Sequence, residues 1–203
     1  MFHHNSFYTI QGLGCLYSQS LRKIHHPTTS HFCSFSNTGN IMISETDARH
    51  LRHCIELARQ AAQAGDGAFG SVLVDATGQV LKEDRNRTVT NSDVTLHPEF
   101  TLVKWAQDNL SPTERATSTV YTSGEHCPMC AAAHAYAGLG RIIYASSSEQ
   151  LVQWKTESGV SLGPVAPLPI NQVAPGILVG GPAPGLDEEI RELHRLCWSR
   201  KAA

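Results

Sequence analysis

A chain of 203 residues, 41% of them apolar, can bury the core of one ordinary domain, and no uncharged apolar stretch approaches the roughly 20 residues of a membrane-spanning helix. A formal net charge of −2 argues against a nucleic-acid partner, whose usual signature is a clustered basic face. Six cysteines are too sparse for a disulfide-stapled module, and two stand three positions apart at metal-ligand spacing, which fits a reducing, cytoplasmic setting.

Residues 1–43 differ from the remainder of the chain. They contain no Asp or Glu, carry only Arg22 and Lys23 as fixed cations, and are rich in Ser, Thr and His. The acid-poor, hydroxyl-rich composition is that of an organelle transit peptide, but Arg is scarce and amphipathic patterning is poor. No apolar run sits behind a charged start, so a secretory signal is not expected. A disordered extension, with Met42 as an alternative start, is the expectation, and the folded domain is expected over 44–203.

Ser44 with Asp47 predicts an acidic capping box, after which Leu51, Cys54, Ile55, Ala58, Ala61 and Ala62 recur at helical spacing until Gly65. Strands are predicted at Ser71–Asp75 and Gln79–Glu83 around a turn at Thr77–Gly78. A polar loop from Asp84 to Thr95 leads into a helix over 97–109, with Pro98 in the first turn, where a missing N–H costs nothing. Next come a strand at Thr119–Thr122, a short helix from Cys127, a strand at Arg141–Ser146 and a helix at Ser148–Lys155. Six of the ten prolines crowd between Pro164 and Pro184, a loop-rich section with one short strand at Gly176–Val179. The closing helix, Leu186–Trp198, carries Asp187, Glu188 and Glu189 in its first turn, where they suit the helix dipole. Alternating helices and strands predict a sheet covered on both faces.

Two short segments concentrate the chemistry: Leu96-His97-Pro98-Glu99 and Glu125-His126-Cys127-Pro128-Met129-Cys130. A catalytic zinc takes three protein ligands and keeps one open position, a count met by the imidazole of His97 and the thiolates of Cys127 and Cys130. A Cys-x-x-Cys at a helix start sets both sulfurs toward one ion, and the dipole end lowers their pKa. Glu99, two residues after the histidine, can stand beside the activated water without binding the metal, and can move protons from it to a departing nitrogen. Cys-x-x-Cys alone is more often structural zinc or redox chemistry. However, no second such pair exists, Cys54 and Cys197 fall in amphipathic patterns of buried thiols, and a thioredoxin-like reading leaves His97 and Glu99 unused.

The pattern H-x-E followed by P-C-x-x-C is the signature of zinc nucleobase deaminases. On these segments, with Ala68-Phe69-Gly70-Ser71-Val72-Leu73-Val74, Asn86-Arg87 and Arg141-Ile142-Ile143-Tyr144-Ala145, the chain resembles the cytidine/deoxycytidylate deaminase superfamily. The resemblance spans roughly Ala48 to Gln150 and is nearest the branch of guanine deaminase, fungal-type cytosine deaminase and tRNA adenosine deaminase. It implies a three-layer α/β/α fold with a central mixed five-stranded sheet, a bound Zn²⁺ and a homodimer or higher oligomer. It also implies a polar contact from Asn86 to the substrate and a backbone N–H of Cys127 facing the tetrahedral intermediate. The neighbouring residues have plainer roles to set beside these. Asn86 can instead stabilise a turn, and Phe69 can be simple core. His134 is expected as a pocket-lining or hydrogen-bonded residue rather than a fourth ligand, and His126 as a support for the ligands.

Two positions depart from the family pattern: His126 stands where Pro is usual, and Pro98 where a small residue donates its N–H to the bound base. The substrate ring, or its placement, is therefore expected to differ from the usual one. The expected activity is zinc-dependent hydrolytic deamination of a purine or pyrimidine base, nucleoside or related N-heterocycle, with guanine- or cytosine-type substrates favoured over nucleic acid. The rivals are a tRNA-editing adenosine deaminase and a non-catalytic structural-zinc protein.

Overall fold

The structure, a computed structural model, describes residues 42–201. The extension expected over 1–43 lies outside them except for Met42, which is exposed, and Ile43, which packs against the core.

Helix α1 (Glu45–Ala64) starts at the expected capping box, with Ser44 Oγ accepting from the Asp47 N–H at 3.1 Å and Asp47 Oδ2 accepting from the Ser44 N–H at 2.9 Å. It ends where Gly65 turns left-handed at φ +94°. Strands β1 (Gly70–Val74) and β2 (Val80–Arg85) form an antiparallel hairpin. At its tip Asp75 Oδ1 accepts from the backbone of Thr77 and Gln79. Gly70 is where β1 meets α1: a Cβ there would lie 2.5 Å from the Cys54 carbonyl oxygen, which explains the glycine of the Ala-Phe-Gly segment.

After the loop come helix α2 (Pro98–Asn109), helix α3 (Pro112–Thr117), strand β3 (Thr119–Gly124) and helix α4 (Pro128–Ala137). Strand β4 (Arg141–Ser146), helix α5 (Ser148–Glu157), helix α6 (Ile170–Val173), strand β5 (Val179–Gly180) and helix α7 (Leu186–Lys201) complete the described chain. Helices α3 and α6 are additions to the expected elements, and the last strand falls at the end of the predicted Gly176–Val179 segment. Strand β3 runs two residues beyond Thr122 because Gly124 still pairs with Ser146 of β4.

The sheet order is β2-β1-β3-β4-β5, antiparallel across the first three strands and parallel across the last three. Alternate side chains face opposite layers. Val72, Val74, Tyr121, Ile143 and Ala145 pack against α1 and α7. Leu73 and Val120 meet Leu102, Val103 and Ala106 of α2, while Ile142 and Tyr144 meet Ala131 of α4 and Ile170 of α6. This is the three-layer α/β/α fold with a mixed five-stranded sheet that the sequence implied. It sets the starts of α2 and α4 side by side on one face.

Candidate active site and metal centre

Both ligand-bearing segments are helix N-caps. His97 caps α2 and Cys127 caps α4, each with a proline next in the chain, where no N–H is needed. Neither side chain caps its own helix, so both are left to face each other. Cys127 Sγ lies 3.7 Å from His97 Nδ1 and 3.6 Å from Cys130 Sγ, and Cys130 Sγ lies 3.7 Å from His97 Nδ1. Zinc bonds of about 2.0–2.3 Å at tetrahedral angles give edges of about 3.4–3.8 Å, so these donors fit three corners of such a site. Among the described residues these three form the group able to hold a metal ion.

The electrostatics suit a cation. The Cys130 thiol and His97 beside Cys127 bring its pKa down to about 4. Its thiolate in turn raises His97, through their hydrogen bond, and Cys130, because two sulfurs this close do not both ionise without a cation between them.

Glu99, in the first turn of α2, is buried and shares its two oxygens between different neighbours. Oε2 lies 3.7 Å from Cys130 Sγ, and Oε1 lies 3.0 Å from Thr122 Oγ1 on β3. Burial pushes its carboxyl above the usual carboxylate range, against the pull of His97. A cavity of about 260 Å³ opens above these groups. Phe69, Leu151, Leu162 and Val165 make it apolar, while His97, Glu99, Glu125 and Cys127 supply the polar end. Glu125 ties that end to the outer wall: Oε2 accepts from the Ser148 N–H at 2.7 Å and Oε1 from the Ile170 N–H at 2.8 Å.

The profile of the "Cytidine and deoxycytidylate deaminase zinc-binding region" matches residues 44–146, half of the chain and all three metal-facing residues. The chain belongs to this deaminase family. A "Probable cytosine deaminase" of Schizosaccharomyces pombe is 35% identical over 117 residues, 58% of this chain and 70% of that protein. A tRNA-specific adenosine deaminase of Haemophilus influenzae is 32% identical over 104 residues, 51% of this chain and 60% of that protein. Among solved structures, guanine deaminase from Nitrosomonas europaea is similar over 87% of this chain and 97% of that one, with a TM-score of 0.59 and 19% identity, a likeness of fold. Zinc is therefore the metal for which His97, Cys127 and Cys130 are arranged.

The remaining family positions divide. His134 is buried and sits at hydrogen-bond distance, 2.8 Å, from the Gly140 carbonyl through Nε2; it stands outside the ligand group. His126 is buried edge-on to His134, at a ring separation of 5.4 Å, with neither nitrogen hydrogen-bonded among the described residues. Burial holds it neutral, with a pKa well below the usual histidine value. Phe69 lines the cavity and also packs on His194 of α7, at a ring separation of 4.9 Å. Asn86 stabilises a turn: its Oδ1 accepts from the Thr88 N–H at 3.1 Å and the Thr88 hydroxyl at 2.9 Å. It stands behind Phe69, whose carbonyl accepts its N–H, and is not one of the lining residues. Thr122 and Glu125 carry no signal of their own in the sequence, because each gains its role from a partner distant in the chain.

Proposed function

We propose that the protein is a zinc-dependent hydrolytic deaminase of a small amino-bearing N-heterocycle, of guanine or cytosine type, working in the cytoplasm. His97, Cys127 and Cys130 hold the metal, and Glu99 carries protons. The observation that carries this reading is the placement of a buried carboxyl, through Oε2, beside the ligand triad at the floor of a mainly apolar cavity whose wall also holds Ser148 and Lys155. Bound zinc supplies the Lewis acidity that makes water a nucleophile near neutral pH. Glu99 would take one proton from that water and hand it to the ring nitrogen. It would then take the proton of the newly added hydroxyl and hand it to the amino group, which leaves as ammonia while the oxygen stays on the ring carbon as a carbonyl. The Cys127 N–H, at the head of α4, faces the oxygen that develops negative charge. Asn86, its Oδ1 fixed by Thr88, is proposed to offer Nδ2 to a ring acceptor once substrate binding shifts Phe69, because without substrate it lies outside the cavity lining.

A cavity of about 260 Å³ is below the roughly 300–1,000 Å³ of drug-sized sites, which favours a single ring system. The tRNA-editing alternative, suggested by the Haemophilus influenzae relative, needs a basic track for phosphates. Among the described side chains of α7 the three arginines are engaged elsewhere. Arg191 pairs with Glu157 at 3.0 Å and Arg195 with Glu192 at 3.0 Å, while Arg200 donates to the Ala62 carbonyl at the end of α1. We further propose a homodimer formed through the exposed face of α4.

The deciding experiment is an ammonia-release screen of the zinc-loaded protein over guanine, cytosine, adenine, their nucleosides and amino-triazines. Glu99→Ala should keep its zinc and lose at least about 100-fold in turnover. Equal ammonia release from both proteins, or none from the wild type, would reject the reading.

A further inference from the structure

Glu99 is gripped on the side away from the metal ligands. Thr122 Oγ1, 3.0 Å from Glu99 Oε1, also receives the Ser71 hydroxyl at 2.9 Å and lies 3.0 Å from the Gly124 carbonyl oxygen. Ser71 and Thr122 are 0% exposed and Glu99 4%, so water does not substitute for any of these partners. A hydroxyl has one hydrogen and two lone pairs, so Thr122 accepts from Ser71 and gives its hydrogen to Oε1, with the Gly124 carbonyl as a neighbouring acceptor. Facing a carboxylate, Thr122 donates to Oε1 and accepts from Ser71. Facing a carboxylic acid that carries its proton on Oε2, it keeps the same two bonds, because Oε1 is then the carbonyl oxygen and still accepts.

We infer that Thr122 is a positioning residue for Glu99, holding Oε1 whether or not the carboxyl carries a proton, so that Oε2 is the oxygen presented to the reacting atoms. The inference rests on Glu99 as the proton carrier. The backbone gives the hydroxyl its fixity. Thr122 pairs with Ser71 of β1 on one side and Tyr144 of β4 on the other, so its Cα moves only with the sheet.

The test compares Thr122→Val, which keeps the shape and removes the hydroxyl, with Thr122→Ser, which keeps the hydroxyl. Both are made in the zinc-loaded full chain and assayed on the substrate that the ammonia screen identifies. Thr122→Val should lose about 10- to 100-fold in kcat with KM within about threefold and zinc content unchanged, and Thr122→Ser should recover to within about fivefold. An unimpaired Thr122→Val overturns the inference. So does a serine variant as impaired as the valine one, since that result assigns the role to methyl packing. Should the orphaned Ser71 hydroxyl prevent folding of Thr122→Val, the double variant Ser71→Ala/Thr122→Val removes it and carries the same expectation. A crystal structure of the zinc-loaded valine variant reads the effect without turnover: the Glu99 carboxylate should rotate away from its wild-type orientation, and an unchanged orientation counts against the role. If Glu99→Ala keeps its turnover, the reading of Glu99 itself fails. If Glu99→Ala is inactive while Thr122→Val is unimpaired, only the role of Thr122 fails.

Discussion

Between His97 and Glu99 stands a residue with no backbone N–H. Pro98 is buried at the first position of α2, and its carbonyl accepts from the Thr101 hydroxyl at 2.9 Å. Its ring suits the helix start, so replacing it by Ala leaves the fold intact while adding one N–H at the edge of the site. A buried acceptor left unpaired costs about 1–3 kcal/mol, which is about 5- to 150-fold in relative kcat/KM. Pro98→Ala should therefore shift the ranking of a base panel by that factor toward rings with an acceptor facing residue 98, measured as kcat/KM ratios. An unchanged ranking removes Pro98 as a determinant. The ligands and Glu99 are legible in the sequence because each motif lies within one helix start, where spacing alone fixes the geometry. Thr122 and Glu125 are not, because their partners lie 23 and 45 residues away and only the sheet brings them together. Asn86 is legible as two alternatives, and its oxygen is committed to the turn.

Helix termini divide in the same way. The Ser44–Asp47 box is readable because an amphipathic run comes after it. The Ser111–Glu114 box of α3 has the same spacing and a proline at its first position, but no residue of that helix is buried, so hydrophobic periodicity gives no sign of it. Helix α7 reads from the sequence as an acidic-fronted amphipathic helix, whereas its role as a wall behind the site emerges only in three dimensions. His194 lies buried between Trp198, in a stacked pair at 5.5 Å, and Phe69 of the cavity. Burial, reinforced by the charge of Lys155, brings its pKa from 6.5 down to about 3. The unfolded histidine binds a proton below about 6.5 and the folded one does not until about 3, so its contribution to stability is intact above 6.5 and is lost as pH falls through this window. From pH 7 to pH 5 the loss is about 2 kcal/mol. His194→Phe keeps an aromatic ring in the stack and removes the titration. Urea unfolding at the two pH values should show a drop smaller by that amount in the variant. Metal release at low pH affects both proteins and cancels in the difference. Equal drops would show that His194 is not a source of the acid sensitivity.

At the scale of the molecule, the helix that carries two of the three ligands has an unusual outer surface. Helix α4 contains no Asp, Glu, Lys or Arg. It turns Tyr136, 92% exposed, and Met129, 36% exposed, away from the sheet, on the same side as small alanines. Its inner face holds Cys130 and Ala131 in the core. An uncharged helix face with a fully displayed tyrosine is costly to leave in water and is the kind of self-complementary patch that a two-fold axis covers. The expected state is a dimer related by such an axis across α4. Because the metal site hangs from the first turn of the same helix, pairing there would stiffen the ligand-bearing end as well. Tyr136→Asp places a charge at the centre of the patch without touching the core, His97, Cys127 or Cys130. Sedimentation equilibrium over a range of concentrations should find the wild type dimeric and Tyr136→Asp monomeric, with one zinc per chain in both. A wild type that stays monomeric at every concentration would reject the dimer, and a Tyr136→Asp that still dimerises would move the interface off α4.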